Sequence, residues 1–408
     1  MKVVQIVNRF APALGGAERH VYLISKGLVK RGHEVTVYTL MSLTHDDIPQ
    51  LSRKPPFIVK GKYVNLPREE LMDGILVKRL YALFRFWSFL VTPELPFQLF
   101  REDADIYHIH GYQPFTSIYG MLSVKLGNYR RKTVLTTHDV QIAESLPIYT
   151  HALMRFYDHS FGKLLLNLSD KIIVLNDDDL IRLRRVGVPV GKLAYVPNGV
   201  DTDFFDPNKV KDSDKQAFKE KFKLNDYVIL FVGRLEQRKR VDLLLYTFKK
   251  LVKEFPNSSL LIVGPDYGEL ELLKLLTCKL ELSDKVVFAS VLDEYELRTA
   301  YAVSDVFATM SEQEAFGLTL LEAMAMRVPV CAHAWKSIKC VVKDGETGIL
   351  VKYRDIEGLA NAIILLFSDR KRKEYMGRRA RIYVGKNFSI ETVVSKTEMI
   401  YQNLAEVI

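Results

Sequence analysis

Apolar residues alternate between two rhythms along this chain. Short runs dense in β-branched residues read as strands buried on both faces: "VVQIV" (3–7), "EVTVYTL" (34–40), "IYHIH" (106–110), "TVLTT" (133–137), "KIIVL" (171–175) and "LAYV" (193–196). Between several of them lie longer stretches with helical spacing. In "GAERHVYLISKGLVKRG" (16–32), Val21, Leu23, Ile24, Leu28 and Val29 share one helical face, and Gly32 marks the end. Strand and helix repeated in this way predict a doubly wound parallel sheet of α/β class.

The rhythm breaks at "VPNGVDTDFFDPNKVKDSDKQ" (196–216), whose Pro, Asn, Asp and Gly content signals a turn-rich connection. It resumes with "YVILFVG" (227–233), a helix from about 241, "SLLIVG" (259–264) and a helix near 268–280. "KVVFA" (285–289), a helix near 293–303 and "DVFATM" (305–310) follow. The expectation is two Rossmann-like domains, residues 1–205 and 206–389, with a terminal helix over 390–408 free to pack back on the first. A chain of 408 residues suits two cores of roughly 150–200 residues each. Ligands of open α/β sheets bind beyond the carboxyl ends of the strands, so the strand-end loops, and a cleft between two facing domains, are where chemistry is expected.

Composition narrows the class without changing this picture. With 48% hydrophobic and 26% charged residues, the chain is neither disordered nor fibrous. Residues 1–200 carry 26 Lys and Arg against 18 Asp and Glu, whereas residues 201–408 carry 32 against 31. The basic excess therefore lies in the first half, which favours an anionic partner there, either a phosphorylated acceptor or a membrane surface. No aromatic-interleaved basic stripe accompanies it, so nucleic acid is not expected. Cys278, Cys331 and Cys340 lack metal-ligand spacing and read as reduced core residues of a cytosolic protein. "MKVVQIVNRF" has no signal-peptide apolar stretch, and Arg85, Pro93, Glu94 and Pro96 interrupt the most apolar segment. A cytoplasmic protein without a membrane-crossing helix is expected. The segment 78–100 mixes Lys78, Arg79 and Arg85 with aromatics, and is read as packing under the first domain, with peripheral contact at the inner membrane face as the alternative.

Two strand-end loops of the second domain hold the strongest chemical signals. In "FVGRLEQRKRVD" (231–242), Arg234, Arg238, Lys239 and Arg240 follow a buried strand at once. Such a cluster suits a phosphate or diphosphate, with charge-assisted bonds worth roughly 1.5–3 kcal/mol each. A solvated basic turn is the plain alternative. In "SEQEAFGLTLLEAMAMR" (311–327), a turn leads into strong helix formers that open at Gly317. The free amides of that first turn form an anion site, and glycine permits close approach. Glu314 would lie in the loop and Glu322 inside the helix, so that they meet different parts of one elongated ligand. A carboxylate at either position can accept hydrogen bonds from sugar hydroxyls; an N-terminal acid favouring the helix dipole plus a surface glutamate is the plain alternative. His108 and His110 share one face of a strand end and read as a polar terminus rather than a metal site. The acids of "LNDDD" (175–179) read as a helix cap.

With seven residues between its two glutamates, "EAFGLTLLE" joins "GRLEQRK", "VPNGVDTDFF", "GGAERHVYLISKGLVKRGHEVTV", "TTHD", "DGETGILV" and "FSIETVV". In this order the motifs resemble the retaining glycosyltransferases of family 4, which have the GT-B fold. The resemblance implies that Arg234 and Lys239 bind the donor diphosphate and that Glu322 holds the nucleotide ribose. It implies that Glu314 contacts the transferred sugar, and that the amides around Phe316, Gly317 and Leu318 face the phosphates. Gly15 and Gly16 match a glycine-rich loop near donor and acceptor, and His138 matches a histidine close to the reacting sugar. Asn198 and Gly199 occupy the junction loop. The chain departs from the family at Arg240 and Arg327, where glycine is usual. Lys336, Ser337 and Cys340 stand where two glycines and a glutamate are common.

The resulting expectation is a metal-independent, retaining hexosyltransferase without a cofactor. Its donor would be a nucleoside-diphosphate sugar, UDP-sugar first and GDP- or ADP-sugar as alternatives. Its acceptor would be a hydroxyl compound: lipid-linked, phosphorylated or a glycan. A GT-B epimerase or phosphorylase, or an inactive sugar-nucleotide-binding protein, is the alternative. A nicotinamide enzyme is disfavoured, because "NRFAPALGGAE" lacks the G-x-G-x-x-G spacing.

Overall fold

The computed structural model describes residues 1–13, 15–42, 50–51, 59–60, 65–86, 89–138, 155–312 and 314–406. The chain divides into two compact units, Met1–Asn198 with Ile390–Ile408, and Gly199–Ser389.

In chain order, the strands of the first unit are β1 (Lys2–Ile6), β2 (Glu34–Leu40), β3 (Gln50–Leu51), β4 (Val59–Lys60), β5 (Glu69–Met72) and β6 (Ile75–Leu80). They continue with β7 (Phe84–Phe86), β8 (Phe89–Val91), β9 (Ile106–His110), β10 (Lys132–Thr136), β11 (Lys171–Val174) and β12 (Leu193–Tyr195). Eight form one sheet in the order β12-β11-β10-β9-β1-β2-β6-β5, in which only β5 runs antiparallel to its neighbour. The order β4-β3-β7-β8 makes a second, small sheet. β1 sits between β2 and β9, with Val3 in register with Val35 and Ile106. Its Val3 and Val4 are fully buried, which is why the run carries no alternating polar face. The direction in which strands are added reverses between β1 and β9, so their carboxyl ends frame the crevice of this sheet.

The helix Gly16–Lys30 lays Val21, Leu23, Ile24 and Leu28 on the sheet. The terminal helix Ile390–Glu406 joins this unit and buries Val393, Val394, Thr397 and Tyr401. Burial of each large apolar side chain stabilises the arrangement by about 1.5–3 kcal/mol. Its outer edge is tied by Glu398, which accepts from Arg31 at 2.6 Å and contacts His33 Nε2 at 2.7 Å.

The second unit carries β13 (Tyr227–Val232), β14 (Ser258–Val263), β15 (Val286–Phe288), β16 (Val306–Thr309), β17 (Val330–His333) and β18 (Gly348–Val351). They form one parallel sheet in the order β15-β14-β13-β16-β17-β18. This is the 3-2-1-4-5-6 order of the doubly wound dinucleotide-binding fold, with its switch point between β13 and β16.

Several sequence expectations change. Cys331 is buried in the second core, but Cys278 is exposed and Cys340 intermediate, so the core reading holds for one cysteine of three. Arg79 is no surface charge. It is 1% exposed, pairs with Glu70 at 2.5 Å and donates to the carbonyls of Ala11 and Pro67 at 2.8 and 3.1 Å. In the segment 78–100, the helix Glu94–Arg101 buries Leu95 and Leu99 but leaves Phe97 and Phe100 exposed. Trp87 and Ser88, with the side chains of residues 84–91, lie outside the described residues. Among the described residues no helix is long and apolar enough to cross a membrane.

Candidate active site

At the switch point of the second sheet, the chain leaves β13 through Gly233 and turns at once into its cations. Arg234 lies over the ring of Tyr267, 5.2 Å from its centroid, with Nη2 3.2 Å from Glu236. Arg238 donates to the same carboxylate at 2.8 Å. A short 3-10 turn, Gln237–Lys239, then passes to Arg240, which takes the left-handed conformation with φ 50° in place of the family's glycine. Arg240 is not a free cation. It grips Asp242 with two nitrogens at 2.9 and 2.7 Å and donates to Tyr353 at 3.0 Å, and the Asp242 contact raises its pKa further above the usual range.

The loop after β16 is stitched to this one. The Glu312 amide donates to the Arg238 carbonyl at 2.8 Å, and Lys239 Nζ donates to Glu314 Oε1 at 2.5 Å. Ser337, at a position where glycine is common in the family, anchors the loop by donating to the Glu314 carbonyl at 2.5 Å. His333 Nδ1 lies 3.0 Å from the Ser311 carbonyl oxygen. Gln313 is outside the described residues.

Gly317, with φ 95°, bends the chain into the helix Leu318–Ala325, a conformation that a side chain there would strain. The adjacent Phe316 is 1% exposed and meets Phe388 edge-on at 6.0 Å. Glu322, one turn inside, accepts from the Tyr301 hydroxyl at 2.8 Å, and burial together with that carboxylate pushes the phenol's pKa upward.

The helix ends on Arg327, whose φ of 61° supplies the left-handed residue usually given to glycine. Its amide donates to Met324 and that of Val328 to Ala323, at 3.1 and 2.9 Å. These are the paired bonds of a Schellman ending. Gly377 on the helix Arg370–Phe388 makes room for it, since a Cβ there would fall 2.1 Å from the Arg327 carbonyl oxygen.

The first unit holds the remaining predicted residues. Gly15 and Gly16 are exposed at the start of the helix Gly16–Lys30. Beside them Glu18, buried to 6%, pairs with Arg9 at 2.9 Å. Asn198 is buried at the end of the unit. Asn176 caps the helix Asp177–Arg185 by accepting from the Asp179 amide at 2.8 Å, with the three acids in its first turn.

His138 follows β10 with φ 57°, uncommon for a residue that is not glycine. His108 and His110 close β9 as a polar strand end. Both are buried, with ring centroids 4.0 Å apart, inside a network that also holds Gln5, Thr136 and Tyr401. His110 Nδ1 lies 3.0 Å from His138 Nε2, and His20 packs edge-on against both rings. Burial lowers the pKa of all four histidines, His108 to about 3 and His138 to about 4. Sequence reasoning missed Gln5 and Tyr401; Gln5 had one signal, a polar residue placed in the otherwise apolar run "VVQIV", and Tyr401 had none.

The profile described as "Glycosyltransferase Family 4" matches residues 14–204, and that described as "Glycosyl transferases group 1" matches residues 212–383. The chain is 27% identical over 399 residues to the N-acetyl-alpha-D-glucosaminyl L-malate synthase of Bacillus anthracis, covering 96% of this chain and 95% of the relative. It is also 27% identical over 397 residues to a GDP-mannose-dependent alpha-(1-6)-phosphatidylinositol monomannoside mannosyltransferase of Mycolicibacterium smegmatis, covering 95% and 94%. Among solved structures it is similar to Anabaena Alr3699/HepE in complex with UDP and glucose, with TM-score 0.75, 18% identity and full coverage of both chains. With profiles matching on both sides of the junction and two parallel α/β sheets in place, the chain belongs to glycosyltransferase family 4 and is a glycosyltransferase of the GT-B fold.

Proposed function

We propose that this enzyme moves a hexosyl group from a nucleoside-diphosphate sugar to a hydroxyl acceptor with retention of anomeric configuration. The observation that carries the reading is the stitching of the two switch-point loops, Arg238 to Glu312 and Lys239 to Glu314, which holds cations and a carboxylate together at the carboxyl ends of β13 and β16.

In this reading Arg234, Lys239 and the first amides of the helix Leu318–Ala325 neutralise the diphosphate. Phe316, Gly317 and Leu318 supply the backbone around it, Glu322 takes the ribose hydroxyls, and Glu314 takes the sugar. The acceptor oxygen bonds to the anomeric carbon as the bond to the diphosphate breaks, and the acceptor proton passes to a diphosphate oxygen on the same face. Charge neutralisation rests on fixed cations and amides, so the scheme calls for no metal ion. Gly15, Gly16, Asn198 and His138 are assigned to the sugar and acceptor side.

Support for the donor class comes from the names of the relative that depends on GDP-mannose and of the structure that holds UDP and glucose. We rank a UDP-sugar first, ahead of GDP- and ADP-sugars. L-malate and phosphatidylinositol monomannoside appear in the relatives' names. With the positive excess of residues 1–200 and the exposed Phe97 and Phe100, they favour an anionic or lipid-linked acceptor used by a cytoplasmic enzyme at a membrane surface.

The test is a thermal-shift panel of UDP, GDP and ADP with their sugars, because binding to the native state raises stability according to affinity. A shift with one base and its sugar is expected, followed by NMR of the product's anomeric proton. No shift with any nucleotide overturns the donor, and an inverted anomer overturns retention.

A further inference from the structure

The hydrogen bonds around His110 have a direction that can be followed from one end to the other. Gln5 presents Oε1 to His110 Nε2 at 2.6 Å and Nε2 to the Tyr401 hydroxyl at 3.4 Å. A carbonyl oxygen only accepts, so the proton of His110 lies on Nε2. A neutral imidazole has one donor and one acceptor nitrogen, which leaves His110 Nδ1 as an acceptor. Its partner at 3.0 Å, His138 Nε2, must then donate. The proton of His138 is used in that bond, and its Nδ1 carries a lone pair.

The other branch agrees. Tyr401 accepts from Gln5, which leaves its own proton available to His108 Nδ1 at 2.5 Å, and in that arrangement His108 Nε2 donates to Thr136 Oγ1 at 2.7 Å. Thus one amide sets the tautomers of His110 and His138, and the second branch is compatible with its orientation. Burial keeps the rings neutral at pH 7, as the lowered pKa values of His108, His110 and His138 require. The left-handed φ of His138 also has a meaning here, since such backbone strain persists only where surrounding contacts hold it.

We infer that Gln5, acting through His110, is a positioning residue that locks His138 in its Nε2–H tautomer and so makes His138 Nδ1 a hydrogen-bond acceptor for a substrate hydroxyl. The functional half of this statement rests on the reading that His138 lies close to the transferred sugar. His138 then orients a sugar or acceptor hydroxyl by accepting a hydrogen bond from it, and is not an acid that protonates a leaving group.

The experiment uses the full chain with 15N-labelled histidine and reads tautomers from long-range 1H–15N correlations at pH 7. His138 and His110 are expected with Nε2 protonated and Nδ1 bare. Gln5→Met, which removes the acceptor, is expected to turn the His138 signal into a mixture of tautomers and to lower kcat by on the order of tenfold or more, since a wrong tautomer disables an otherwise intact site. Its KM for donor should change less. Thr136→Val removes a hydroxyl of the same network but leaves the Gln5–His110 bond, so the His138 signal should stay as in the wild type.

A wild-type His138 protonated on Nδ1 overturns the relay, because this is what the opposite orientation of the Gln5 amide produces. An unchanged His138 signal in folded Gln5→Met overturns the role of Gln5. Should Gln5→Met fail to fold, the wild-type spectrum alone decides the tautomer. The spectrum needs no sugar nucleotide, so it is independent of the donor assignment. If the Nε2–H tautomer is found and His138→Ala turns over normally, the relay stands and the placing of His138 beside the sugar fails.

Discussion

Lys239 Nζ stands 2.5 Å from Glu314 Oε1, each side chain 14% exposed, and this pair fastens the loop after β13 to the loop after β16. Neither charge has much water to fall back on. Removing one partner therefore leaves the other desolvated and unpaired, at a cost well above that of a surface ion pair. Lys239→Ala and Glu314→Ala should each lower the denaturation midpoint. The double variant should cost less than the two combined, with a coupling energy of about 1–3 kcal/mol. Strict additivity in chemical denaturation would show that the contact carries no stability.

Catalysis should suffer separately from stability. On the proposed reading, in which the diphosphate leaves against Arg234 and Lys239, Arg234→Ala or Lys239→Ala should lower kcat at least roughly a hundredfold. The comparison is made in steady-state assays on variants whose melting shows them folded. Near-normal turnover by both would remove these residues from the chemistry.

Arg327 bears a backbone strain that only glycine, without a Cβ, would release. Arg327→Gly should stabilise the second unit by up to about 1 kcal/mol, because glycine reaches φ 61° without the Cβ penalty. Calorimetry would register this as a higher Tm. In contrast, Gly377→Ala should lower Tm, since its Cβ would meet the Arg327 carbonyl oxygen at 2.1 Å.

Acid should destabilise the first unit through its histidines. His20, His108, His110 and His138 all have folded pKa values below the ordinary 6.5, first of all because burial disfavours the charged ring. Above about pH 6.5 the rings are neutral in both states and contribute no pH dependence. As pH falls below that value the unfolded chain takes up protons that the folded chain refuses. Stability should therefore drop by about 1.4 kcal/mol per pH unit for each such histidine, until the folded value is reached. For His138 that window runs from 6.5 down to about 4. His20 Nδ1 has no hydrogen-bond partner among the described residues, so His20→Leu should shallow the slope between pH 6.5 and 5 without loss at pH 8. A pH-independent midpoint for the wild type over this range would contradict neutral burial.

Much of the architecture is legible in local pattern, because burial on a helix or strand repeats at a period that neighbouring residues reveal. "YVILFVG" and "DVFATM" announce strands that end just before the cations and the acids, and Gly317 announces the sharp entry to the motif helix. What lies between distant residues is not legible in that way. Lys239 meets Glu314 only because β16 is laid beside β13, and Gln5 meets His110 only because β9 is laid beside β1. Tyr401 reaches His108 across 293 residues because the terminal helix packs on the first sheet. At Arg327 the sequence marks a missing glycine, while the structure shows arginine held in the left-handed conformation by two cap bonds and room at Gly377. The sequence by itself determined the alternating strands and helices around both switch points, the strand-end loops there and the kinds of charge they carry, since these follow from nearest-neighbour sterics and burial. It did not announce β5 and β6, or β17 and β18, which complete the two sheets. The tertiary structure decided which charges pair and which polar side chains share one hydrogen-bond network, since hydrogen bonds reach only about 3 Å.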